Sequence, residues 1–427
     1  MQQARRVEKD LRAGRFGPLG ESWLAWTALI IGVLAVSAHS ASSIVYSVLM
    51  KPMLGELAVG RTDFASAMSL RMLIMTLAIA FAGQFTDRIG ARAVLAIGAL
   101  IVGLGNLAAS TITSMGQFYP IMALMGPGQA AIGSVAASAL VLRLFRRRRG
   151  LAIGVLNGGD NLINSGVSVA AAALLTEWGW RLTVRAMGAT YVALALLILW
   201  ALRPGAGTSD ETTERTRVDR PRRTSLRDLP WADRRLWAVF LSYAGIYAFV
   251  TSVQLHFHAF QTDMGRSPTE ASQLLSMQIL VGAIGAPLFG WIAERLTART
   301  ALLMVVVGLT SMSVVLWMAQ SYAAFTGWAI VYGLVNSGVV ALLTLVLSEL
   351  FGAERIGSLM GVAMVFCMSS TLLANLYSAA LFDLFGSYLP VWRSYTALMV
   401  VTLVPVWWLN RARHTFGVAA QRSEGEG

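Results

Sequence analysis

Apolar runs of twenty or more residues recur from one end of the 427-residue chain to the other, separated by short clusters of charge, glycine and proline. A helix needs about 20 apolar residues to cross a bilayer, whereas a soluble helix would show a polar face at every turn. Runs bounded in this way predict twelve helical spans: 23–50, 62–85, 93–113, 117–142, 150–176, 182–202, 235–260, 269–292, 300–320, 324–350, 357–382 and 389–410. The expected architecture is an all-α membrane protein. Trp23, Trp26, Trp178, Trp180, Trp237, Trp392 and Trp407 fall near span ends, where indole rings favour the headgroup layer. The polar, Pro- and Arg-rich stretch 203–234 reads as a cytoplasmic linker between six-helix bundles at 23–202 and 235–410. Residues 1–22 and 411–427 read as cytoplasmic tails, the first with no apolar core and cleavage site of a leader peptide.

Composition agrees and narrows the class. The chain is 56% hydrophobic and 13% charged, against roughly 25% charged for a soluble domain. One cysteine, Cys367, excludes a disulfide scaffold. The net charge of +12 matters less than its placement. With the spans as drawn, 27 basic residues fall on the side of the chain ends, six on the opposite side, and Arg71 inside span 2. That asymmetry places both termini in the cytoplasm. It makes the linker arginines topology and lipid determinants, with no nucleic acid partner. The expected location is the plasma membrane, a bacterial inner membrane in particular.

The two sets of six spans repeat each other. At an offset of 207 residues Gly83 falls on Gly290, Asp87 on Glu294, Arg88 on Arg295 and Arg92 on Arg299. The same offset maps Asp63 to Glu270, Ser69 to Ser276, Gly126 to Gly333, Gly150 to Gly357 and Gly154 to Gly361. One offset relating several positions of two loops predicts a parallel duplication, with a substrate site near mid-membrane between the halves.

The loop GQFTDRIGAR (Gly83, Asp87, Arg88, Gly90, Arg92) resembles the signature between spans 2 and 3 of the major facilitator superfamily, and GWIAERLTAR (Gly290, Glu294, Arg295, Arg299) resembles its second-half copy. That resemblance implies a major facilitator fold working by rocker-switch alternating access. It gives Gly83, Asp87, Arg88, Arg92, Glu294, Arg295 and Arg299 gating and structural roles. KPMLGELAVGRTDFA after span 1 and RRRRGLAIG opening span 5 resemble the monocarboxylate and oxalate/formate porter branch. The branch implies a secondary active transporter for a small, monocarboxylate-like organic anion, with proton coupling or exchange. Those porters place a basic residue in span 8; here span 8 has none, and span 1 has no interior lysine. The alternative cargo on the same fold is a larger vitamin-like or heteroaromatic nutrient, or an exported drug.

Ionisable groups at bilayer depth cost roughly 2.5–3.5 kcal/mol each, so each asks for a reason. In that fold spans 1, 2, 4, 5, 7, 8, 10 and 11 line the cavity. Arg71 is the expected anion anchor, because a guanidinium takes a carboxylate bidentately. Its structural alternative is an ion pair with Asp160, ten residues into span 5. Asp160 and His39 are the proton-coupling candidates, since both change charge under local control. His39, Tyr46, Gln129, Asn161, Tyr247, Gln254, His256, Gln278 and Asn336 are candidate substrate contacts, with Asn164, Asn375 and Tyr243 beside them. The glutamines, Asn336, Asn375 and the tyrosines have helix–helix glue as their structural alternative, and His39 has a neutral imidazole satisfied by a neighbouring backbone or hydroxyl group. His256 and His258, two residues apart, point to different sides of one helix and do not predict a shared metal. There is no GxxxxGK[ST] loop for ATP, no metal-ligand cluster and no catalytic constellation, so neither cofactor nor enzymatic activity is expected. The expected partners are a small-molecule substrate, protons or a counter-anion, and the lipid bilayer, with no obligate protein partner.

Overall fold

The computed structural model describes residues 23–145, 149–202, 230–352 and 356–411. Both tails and most of the 203–234 linker lie outside the described residues. Among those described, all regular structure is helical: Trp23–Leu57, Arg61–Ile89 and Ala91–Ala109 form spans 1 to 3, and Met115–Ile132 with Ser134–Leu144 forms span 4. Arg149–Ala201 carries spans 5 and 6. In the second half, Arg234–Asp263, Pro268–Arg295 and Ala298–Met318 form spans 7 to 9. Tyr322–Asn336 with Gly338–Phe351 forms span 10, and Ile356–Phe385 and Leu389–Arg411 form spans 11 and 12. Among the described residues, eleven stretches are long and apolar enough to cross a membrane. The 48-residue one, Gly154–Ala201, holds two spans, because Gly179 at φ 74°, ψ 172° turns the chain back without a loop. The face where the chain enters span 1 and leaves span 12 is called the near face below; the 1–2, 5–6, 7–8 and 11–12 connections lie on the far face.

Most helices overrun the predicted limits because charged residues at span ends continue the helix, whereas spans 3 and 9 end short of them, at Ala109 and Met318. Spans 4 and 10, each drawn as one helix, are broken once, at Gly133 and at Ser337; span 4 stays helical through the Gly126–Gln129 turn, where its GPGQ run reads as a break. The tryptophans divide. Trp23, Trp178, Trp237 and Trp407 are exposed on the outer surface, but Trp180 and Trp392 are buried. The Trp180 indole donates to Glu56 at 2.5 Å, and Trp392 stacks on Tyr388, so packing overrides the headgroup preference there.

The duplication is physical. Gly126 of span 4 lies so close to span 2 that a Cβ there would sit 3.0 Å from the Arg71 carbonyl oxygen. Gly333 of span 10 meets the Gln278 carbonyl of span 8 in the same way. Gln278 is also the residue that the 207-residue offset pairs with Arg71. Arg92 donates to the Leu199 carbonyl at the end of span 6 (2.6 Å), and Arg299 to the Leu409 carbonyl at the end of span 12 (3.1 Å). Arg299 also pairs with Glu349 at 2.8 Å. Each arginine therefore ties the first and last outer spans of its own half. Arg88, Glu294 and Arg295 are exposed at the near face, and the Asp87 side chain lies outside the described residues.

Span 7 starts on a side-chain cap. Asp233 accepts from the Arg235 backbone N–H at 2.8 Å, and its carboxyl is held below the ordinary range by the Arg235 guanidinium alongside. A depressed carboxylate stabilises above its unfolded pKa and loses that contribution as pH falls through the lowered value. Asp233→Ala is expected to cost about 1 kcal/mol of stability at neutral pH and less in acid, read by thermal unfolding at several pH values.

Candidate functional site

Span 1 supplies the hub of the site through the consecutive residues His39 to Ser43. Successive helical residues project about 100° apart, so this short stretch addresses three neighbouring spans. Towards span 2, Ser42 and Ser43 accept from the two terminal nitrogens of Arg71 at 2.8 and 3.3 Å. Towards span 5, Ser40 donates to Asp160 at 3.3 Å. Towards span 4, His39 Nδ1 donates to the Gln129 carbonyl at 2.9 Å. That carbonyl is free because span 4 breaks one turn later: the Gly133 N–H turns to Ala130 instead. A carbonyl only accepts, so His39 carries its proton on Nδ1.

Arg71 is buried at 7% exposure, about 15 Å along span 2 from Arg61 at 1.5 Å per residue. Its guanidinium lies over the Tyr46 ring, 5.5 Å from the centroid. Tyr46 is held from behind by Asn106 at 2.9 Å, so its hydroxyl is committed to span 3. The expected alternative of an Arg71–Asp160 ion pair is not what forms. Asp160 accepts from Ser40 and, at 2.7 Å, from Asn164, while Arg71 bonds only neutral hydroxyls. Span 1 stands between the two charges and bonds each of them. Among the described residues no carboxylate reaches Arg71.

Arg71 opens onto a cavity of about 110 Å³ between the two halves. On the first-half side it is joined by His39, Ser43 and Gln129, with Met68, Met72 and Met75 forming an apolar stripe. Across from them stand Thr251 and Gln254 of span 7 and Thr371 and Asn375 of span 11. The structure thus brings Arg71, His39, Gln129, Gln254 and Asn375 together. It leaves Asp160, Asn161 and Asn164 beside them on span 5, outside the cavity wall. Tyr243, Tyr247, Gln278 and Asn336 do not line it. His256 bonds the Tyr388 hydroxyl at 3.0 Å in an aromatic cluster near the far face, and His258 bonds the Pro268 carbonyl at 3.2 Å. A larger hollow of about 270 Å³ lies on the far face, but its one carboxylate, Asp263, is already committed.

Above the cavity the far face is closed by contacts between the halves. Asp263 takes Lys51 at 2.8 Å and Arg61 at 2.5 Å. Asp383 at the end of span 11 accepts from the backbone N–H groups of Arg61 and Thr62, at 3.0 and 2.9 Å. Those are orphan donors at the start of span 2. At the equivalent start of span 8 the Ser267 hydroxyl accepts from Glu270 N–H. Gly60 has no side chain to do this, and Asp383 supplies the oxygens from the other half. Deeper in, Ser168 donates to the Ser272 carbonyl at 3.1 Å and Ser276 to the Ser165 carbonyl, closing span 5 on span 8. Sequence reasoning missed Ser42, Ser43 and this far-face latch. The serine run in span 1 signalled the first; Asp263 and Asp383, acids at span ends, entered no motif.

Comparison with known proteins agrees with this architecture. The Major Facilitator Superfamily model matches residues 29–265 and again 236–425. Monocarboxylate transporter 13 of Rattus norvegicus is 28% identical over 308 residues, 71% of this chain and 69% of that one. Monocarboxylate transporter 4 of Gallus gallus is 23% identical over 93% of this chain and 87% of its own. Among solved structures, the nucleoside transporter NupG superposes with a TM-score of 0.73 at 13% identity, covering 90% of this chain and 99% of NupG. A bacterial homolog of the human lysosomal transporter Spinster, inward-facing and occupied, gives 0.70 at 13% identity, covering 90% and 96%. Matched twice along its length by one family model, and folded as two copies of the same set of helix contacts, the chain belongs to the Major Facilitator Superfamily.

Proposed function

We propose that the protein carries a small organic monoanion across the membrane in company with a proton, its two halves rocking about the cavity at Arg71. The observation that carries this reading is a buried guanidinium, facing a cavity between the halves, with only neutral hydroxyls as partners. A cation at that depth is costly unless an anion joins it, and an anion arriving there gains a charge-assisted fork. At about 110 Å³ the cavity is smaller than the roughly 300–1,000 Å³ of pockets for drug-sized molecules, which favours a short carboxylate over a vitamin-sized cargo. The curated relatives named as monocarboxylate transporters support the same cargo class. Asp160 is the proposed proton carrier: it is half-buried, holds only neutral partners, and shares span 1 with the anion site. The basic asymmetry supports a cytoplasmic near face, and with that orientation the structure described is closed to the outside.

Reconstituted protein is expected to accumulate a labelled three-carbon carboxylate in vesicles whose interior is alkaline. Asp160→Asn should still exchange label across the membrane but no longer concentrate it. Failure to move any short carboxylate overturns the cargo; full pH-driven accumulation by Asp160→Asn removes that residue from coupling.

A further inference from the structure

The wall of the cavity opposite Arg71 has chemistry that an anion site alone does not need. Gln129 is 2% exposed, and neither its amide nitrogen nor its amide oxygen has a hydrogen-bond partner. Thr371, at 1% exposure, has an unpartnered hydroxyl, and Asn375, at 7%, an unpartnered amide oxygen. All three line the same cavity. Thr371 and Asn375 are four residues apart on span 11 and so share one face, while Gln129 comes from span 4 of the other half.

Buried polar atoms are nearly always paired, and an unpaired one costs about 1–3 kcal/mol. Four such atoms, all on residues that line one small cavity, are the groups a cargo entering it can satisfy. Their types define it. Arg71 has only donors and reads the carboxylate. Gln129 orphans a donor and an acceptor together, so exchanging the two atoms of its amide leaves the demand unchanged. Its amide oxygen accepts only, and a carboxylate, carbonyl or ether has no hydrogen to give it. The Met68, Met72 and Met75 stripe supplies the apolar side for the carbon chain. The remaining need is for a ligand group that both gives and accepts a hydrogen bond, beyond the carboxylate.

We propose that Gln129, Asn375 and Thr371 are specificity-determining residues which select a hydroxylated monocarboxylate over its oxo and unsubstituted counterparts. This rests on the anion site proposed above. Cargo that spans Arg71 and Gln129 on one half and span 11 on the other would also join the halves, and only the hydroxylated acid completes that bridge.

The test compares binding of propanoate, 2-hydroxypropanoate and 2-oxopropanoate, and of butanoate, 3-hydroxybutanoate and 3-oxobutanoate, by thermal stabilisation of the purified full-length protein. At least one hydroxy acid is expected to bind about tenfold more tightly than both its parent and its oxo form. In Gln129→Leu and Asn375→Leu, and in the near-isosteric Thr371→Val should the larger changes fail to fold, that advantage, read as the ratio of hydroxy-acid to parent-acid affinity within each variant, is expected to fall below about twofold. Hydroxy and parent acids binding equally to the unaltered protein, or a preference that survives all three substitutions, overturns the proposal and leaves the anion site standing. Binding by none of the acids, or parent-acid binding indifferent to Arg71→Ala, overturns the anion site and this selectivity with it.

Discussion

Arg71→Ala is expected to weaken carboxylate binding by about 100-fold and to bring uptake to background at micromolar substrate. A hydrogen bond to a charged group is worth about 1.5–3 kcal/mol, and each 1.4 kcal/mol is a factor of ten. The two serines that hold the guanidinium lose little in the change, because helical serines turn readily to their own backbone carbonyls. Thermal unfolding should therefore stay near that of the unaltered protein, which separates loss of the anchor from loss of the fold. Arg71→Lys tests the geometry. A lysine keeps the charge but not the planar fork, so affinity should fall between the other two. Unchanged affinity in Arg71→Ala, with the protein folded, would remove the anchor role.

The second large effect is expected at the far face, from a methyl group. Gly60 has φ −79° and ψ 167°, which any residue adopts, so its backbone does not call for glycine. The space does: a Cβ at Gly60 would lie 2.8 Å from the Asp383 carboxylate oxygen. Gly60→Ala should thus push Asp383 off the N–H groups of Arg61 and Thr62 without straining the turn. Asp383→Ala removes the same bonds from the other side. Because Asp383 is exposed to solvent, each of its two charge-assisted bonds is discounted to about 1–1.5 kcal/mol, and losing both moves a two-state equilibrium by about 30–150-fold. Spin labels at Thr113 and Gln320, exposed on the far-face loops of the two halves, on a Cys367→Ser background, should gain a longer-distance population in both variants. A distance distribution unaltered by either would mean that the latch does not hold the halves together.

Much of the fold could be read in advance because a bilayer admits few solutions: the apolar runs had to be helices, and the duplicated glycines and arginines had to serve matching contacts. Arg71 was legible for the same reason, as a cation where none is tolerated without purpose. Its partners were not. Ser42 and Ser43 look like any small residues of a membrane helix until span 2 is laid against them. Asp160 reads as a structural alternative partner for Arg71 because both are charged and deep, but depth along two helices says nothing about what stands between them. The breaks at Gly133 and Ser337 were hidden inside apolar runs, where hydropathy stays high across a lost hydrogen bond. Asp383 was invisible as a cap because capping rules look for an oxygen a few residues away, and this one arrives from 322 residues along the chain.

The separation of Arg71 from Asp160 by span 1 has an electrical consequence. Both fixed charges of the site belong to the first half, and the second-half wall of the cavity contributes only neutral groups. In the proposed cycle the empty site carries one positive and one negative charge. The loaded site carries the guanidinium, the bound carboxylate and a protonated Asp160. Both add to zero, so neither the outward nor the return stroke moves net charge through the membrane field. A membrane voltage, at about 2.3 kcal/mol per charge per 100 mV, then has nothing to act on, and the proton gradient alone sets how far the cargo is concentrated.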